Sequence, residues 1–192
     1  MNEYQTNSVE NIEINKKSNS ENIDLMKIVN LIFALSLSIL LIMAIRLISS
    51  IASIEDIMIC LQHENSQIKN VGVLLIVEMA LMLINLTFAI LSFVFSNKLK
   101  KAIMFDRNSK KDFSRSKVFT MVMSILFTVF TAFEVFAVLF MTKAFNDFGV
   151  EHSMLVSISS LVWTALYACI GWIIFANICR AEKIIKNQHK NQ

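Results

Sequence analysis

Four uninterrupted greasy stretches constrain this chain more than anything else in it: Ile28 to Ile45 ("IVNLIFALSLSILLIMAI"), Val71 to Phe95, Val118 to Thr142 and Met154 to Cys179. The first and last carry no charge, the second carries only Glu78 and the third only Glu134. At about 1.5 Å of rise per residue, roughly 20 helical residues cross the roughly 30 Å hydrocarbon core of a bilayer. Core helices of a soluble protein would keep a broad polar face, whereas the polar positions here are few and mostly Ser and Thr. The composition agrees, with 55% hydrophobic and 17% charged residues against about 45–50% and 25% in soluble domains. The expected fold class is therefore all-α integral membrane, a four-transmembrane-helix bundle with spans near 27–48, 71–95, 118–142 and 154–179. Proline is absent and there are three glycines, so little in the sequence interrupts the helices.

The organisation follows from composition. Residues 1–24 are rich in Asn, Glu and Ser; they have no apolar h-region of a signal peptide and too little apolar area to offset the entropy of ordering. A disordered polar tail is expected there. Residues 25–180 form the membrane domain, interrupted by a basic connection at 96–117, and residues 181–192 form a basic tail. Lys and Arg fall almost wholly in alternate segments: three up to Lys27, eight in the middle connection and four from Arg180 to the C-terminus, against one in each of the other two connections. The positive-inside rule then puts both termini and the basic connection in the cytoplasm of a multi-pass cell-membrane protein.

Glu78 and Glu134 each lie seven residues from the outward edge of their helices, roughly 10 Å deep. Arg46 lies 18 residues along the first helix, about 27 Å from its inner edge. Three ionisable groups from three helices are thus expected at one depth, an intramembrane charge cluster. Two carboxylates against one guanidinium leave one negative charge over. The expectation is an ionised glutamate paired to Arg46 and a second that keeps its proton. Ionisable groups in a membrane mark functional sites, and a staple between helices is the structural alternative.

Smaller polar groups recur at helical spacing. Glu78, Asn85 and Ser92 share one face of the second span, and Ser124, Thr128 and Thr131, with Thr120, make a hydroxyl stripe on the third. This polar helix face reads as bundle interior, or as the lining of a water or ion path. On the last span Ser157, Ser160, Thr164, Ala168 and Gly171 form a small-residue seam of the kind that lets membrane helices approach closely, and Tyr167 reads as a packing residue. The cytoplasmic connection offers Lys98, Lys100, Lys101, Lys110, Lys111, Arg115 and Lys117 as a patch for anionic lipid or a partner. Cys60, His63 and His152 are weak candidates for a metal site, and neither metal nor cofactor is expected.

No nucleotide-binding loop, H-E-x-x-H helix or G-x-S-x-G elbow occurs in the sequence, so no enzymatic activity is expected. The partners expected are the lipid bilayer and either the chain itself or another membrane protein, with no nucleic acid. The leading function class is a non-enzymatic accessory, regulatory or immunity-type membrane protein that works by binding. The competing class is a homo-oligomeric proton- or cation-coupled transporter or channel subunit using Glu78 and Glu134.

Overall fold

The computed structural model describes the backbone of residues 3–104, 110–147 and 154–188, with side chains over 23–104, 113–144, 146–147 and 160–187. The described residues form five helices: α1 (Glu3–Ala52), α2 (Ile54–Gln62), α3 (Ser66–Met104), α4 (Lys110–Asp147) and α5 (Met154–Gln188). Four carry stretches long and apolar enough to cross a membrane, over Ile23–Ala52, Ser66–Met104, Phe113–Ala144 and Ser160–Asn187. At most 33% of the apolar window in any of them is buried against the rest of the protein. Most of the greasy surface therefore points outward, with Ile45, Ile48 and Leu139 more than 60% exposed. Water would penalise such a surface, and lipid does not. This is a four-span helical membrane protein.

α1 packs on α3 and α5, and α4 packs on the same two helices, while the described backbones of α1 and α4, and of α3 and α5, do not approach one another. The long helices therefore stand in a ring ordered α1, α3, α4, α5, the arrangement of an up-down-up-down bundle. Val29, Ile32, Ile39 and Met43 of α1 meet Met123, Phe127 and Phe130 of α4 and Tyr167, Ile174 and Ile178 of α5 in one core. The hydroxyls of Ser36 and Ser96 lie 2.7 Å apart across the α1–α3 seam. At Gly171 an added Cβ would sit 3.3 Å from both Phe127 Cδ2 and Ser124 Oγ, so the absent side chain sets how closely α5 lies on α4.

Two features differ from the sequence reading. The helix of α1 begins at Glu3, inside the stretch whose composition argues for disorder; with no Pro or Gly there, nothing stops the first span from extending backward. The connection between the first two spans holds α2, which the apolar runs alone do not reveal. Its first turn carries Glu55 and Asp56, where acidic groups favour the helix dipole, and Ile57 is buried. A Cβ on Gly72 would come within 3.0 Å of Leu61, so this glycine lets α2 lie against α3. Asn65 then caps α3, its Oδ1 accepting the Gln67 N–H at 2.8 Å.

Candidate functional site: a charged cluster at the floor of a cavity

Arg46 sits six residues before the end of α1 and touches all three of the other long helices. Its Nη2 donates to Glu134 Oε1 of α4 at 2.9 Å, to Ser160 Oγ of α5 at 2.7 Å and, at a longer 3.4 Å, to Glu78 Oε1 of α3. Its Nη1 donates to the Tyr167 hydroxyl of α5 at 3.3 Å. Because α1 and α4 face each other across the ring, the length of the arginine side chain lets Arg46 reach a carboxylate on the opposite helix. The guanidinium also lies 5.9 Å from the centre of the Phe130 ring.

The two carboxylates are not equivalent. Glu134 is 1% exposed, and its second oxygen accepts from Ser160 Oγ at 3.0 Å. Ser160 thus receives from Arg46 and donates to Glu134, closing a three-membered circuit of charge-assisted hydrogen bonds. Glu78 is 13% exposed, its contact with the guanidinium is the longer one, and its carboxyl also lies against that of Glu134. One Nη2 carries two hydrogens, and the two shorter bonds engage them. The formal charges leave one negative charge unmatched, and geometry assigns the looser position to Glu78.

Above this cluster, on the α2 side, lies a cavity of about 810 Å³. Arg46, Glu78, Glu134 and Ser160 form its floor, Ile42, Leu75, Met79, Met82, Val138 and Met141 line its walls, and Ser49, Ser53 and Asp56 reach the surface at its rim. Below the cluster the bundle is filled. Tyr167 is fully buried, edge-on to Phe127 at 5.2 Å and stacked on Phe130 at 6.2 Å.

The remaining sequence candidates are dispersed. Asn85 and Ser92 are buried on one face of α3, and Ser92 Oγ is 3.3 Å from Ser36 Oγ. Ser124, Thr128 and Thr131 each donate to the carbonyl four residues earlier in α4, and Thr131 also reaches the Thr164 carbonyl at 3.2 Å. Hydroxyls turned onto their own backbone are satisfied without water. Thr164 and Ala168 are buried in the α4–α5 seam, and the Ser157 side chain lies outside the described residues. In the basic segment, Lys117 pairs with Glu182 at 3.1 Å, Lys100 lies 4.9 Å from the Phe33 ring and Lys98 lies 5.8 Å from the Phe95 ring. Lys101 and Arg115 are exposed, and the side chains of Lys110 and Lys111 are outside the described residues.

Cys60 is half-buried and lines the cavity, where burial and the Asp56 charge push its thiol up from the ordinary range. His63 Nδ1 accepts the Asn65 N–H at 3.1 Å, and His152 lies outside the described residues. Among those described, no three His, Cys, Asp or Glu side chains gather in a way that would hold a metal ion. Ser160 and Tyr167 enter the charge cluster unannounced by the sequence reading, which treats them as packing residues. Comparison with known proteins finds no matching family model, no similar curated protein and no similar solved structure.

Proposed function

We propose that this chain is a non-enzymatic accessory, regulatory or immunity-type membrane protein that acts by binding another membrane component. In this reading its termini face the cytoplasm and its α2 end faces out, following the distribution of Lys and Arg. The observation that supports it most is the closure of the bundle beneath Arg46. The guanidinium is engaged with residues of α3, α4 and α5, and Phe127, Phe130 and Tyr167 fill the centre below it. The α4 hydroxyls that would line a polar path bond their own helix instead. Such a molecule is a scaffold, and recognition falls to its lipid-facing flanks and its α2 end.

One observation favours the second reading, an oligomeric proton- or cation-coupled transporter: the cavity ends on a glutamate with a weak partner. Photo-crosslinking from Leu139 or Val162, both exposed on the helices, paired with flux measurements in liposomes, separates the two. A defined crosslinked membrane partner with no proton or cation flux supports the binding reading. Flux that disappears in a Glu78→Gln, Glu134→Gln double variant overturns it.

A further inference from the structure

We infer that the cavity between α1, α3 and α4 binds an amphiphilic organic cation, its positive head on Glu78 and its apolar body against the walls. Three observations converge. The first is charge. Arg46, Glu78, Glu134 and Asp56 are the charged residues that line the cavity, so carboxylates outnumber cations there. Within the cluster, Arg46 holds Glu134 at 2.9 Å and Glu78 only at 3.4 Å. Glu78 is largely shielded by the bundle, and the lowered dielectric there strengthens its attraction for a cation that takes the place of the proton expected on the second glutamate. Arg46 brings one positive charge for two carboxyl groups and lies closer to Glu134 than to Glu78.

The second observation is the shape and chemistry of the space. A volume of about 810 Å³ belongs to the range of sites that enclose a drug-sized molecule and far exceeds what a bare metal ion occupies. A hard cation also demands about six or more oxygen ligands, whereas the walls are Ile42, Ile45, Leu75, Val138 and three methionines, Met79, Met82 and Met141. Flexible thioethers adapt to apolar ligands of varied shape. The third is Trp163, an aromatic side chain that lines the cavity and is of the type that attracts cations to its ring. An anionic floor, apolar walls and an aromatic edge together specify a ligand with one positive charge and a greasy body. The inference concerns the isolated chain and stands apart from whether its lipid-facing flanks engage a partner.

The test uses the full chain in nanodiscs of zwitterionic lipid, with radiolabelled tetraphenylphosphonium as a permanently charged probe and empty discs subtracted. Saturable binding is expected, weakened about tenfold or more by Glu78→Gln, which removes the charge at nearly constant size. Leu75→Trp, which fills the cavity and leaves every charge in place, is expected to abolish it. Radiolabelled tetraphenylborate, of the same shape and opposite charge, measured by itself, should show no saturable binding. Undiminished binding in a folded Glu78→Gln protein, or in Leu75→Trp, overturns the inference, and so does saturable binding of the anion. If Glu78→Gln does not fold, the cation–anion comparison on the native chain and Leu75→Trp decide the matter alone.

Discussion

At the α2 end the four long helices are joined through one guanidinium; at the opposite end they are joined chiefly by close-fitting apolar side chains, with one ion pair, Lys117–Glu182, between α4 and α5. Arg46 gathers Glu78, Glu134, Ser160 and Tyr167 within 3.4 Å. At the other end Val29, Leu99, Phe113, Ile178 and Ala181, each at most 1% exposed, pack with Ser36 and Ser96 bonded across the seam. In lipid, apolar side chains gain little by leaving the solvent, so close fit and internal hydrogen bonds hold helices together. Close fit spreads its contribution over many residues. A buried ion network concentrates it, because loss of one partner strands the others. The α2 end also keeps an 810 Å³ space open.

This contrast sets an order of effects. Arg46→Met should be the most damaging single change, costing about 3–5 kcal/mol because two carboxylates lose their shared partner; unfolding by steric trapping in bicelles measures it. Next comes the difference between the glutamates. Glu134→Gln should cost more than Glu78→Gln by about 1 kcal/mol or more, since Glu134 has two short bonds and no exposure. Equal losses would erase the distinction drawn between them. At the packed end, Gly171→Ala should cost roughly 1–3 kcal/mol by forcing α5 away from Phe127 and Ser124, and Ser36→Ala about 0.6 kcal/mol. The smallest effect concerns reactivity. The Cys60 thiol is pushed up by burial and by Asp56, so less thiolate exists at a given pH. Maleimide labelling near neutral pH should lag behind that of an exposed thiol, and Asp56→Asn should speed it a few-fold.

The four spans were legible because a bilayer-length run without charge is a one-dimensional signal; α2 was not, because nine residues leave no comparable signature. Its apolar Ile54, Ile57, Met58 and Leu61 do follow helical spacing, which in retrospect is the available clue. The meeting of Arg46, Glu78 and Glu134 follows from residue counts along helices of known rise. Which glutamate holds the guanidinium more closely does not, since rotation of α3 relative to α4 is set by packing. Ser160 and Tyr167 were hidden for a similar reason. A hydroxyl at helical spacing looks the same whether it lines a seam or receives a hydrogen bond from a neighbouring helix. Depth is written in the sequence, and azimuth is decided by the whole bundle.

The bond between Arg46 of α1 and Glu134 of α4 crosses the middle of the ring and sets the α2 end apart. A double-mutant cycle of Arg46→Met and Glu134→Met, read from unfolding free energies in bicelles, tests it directly. Strong coupling is expected, with the double variant losing at least about 1 kcal/mol less than the sum of the single losses. Losses that simply add, within about 0.3–0.5 kcal/mol, would show that these two residues do not meet.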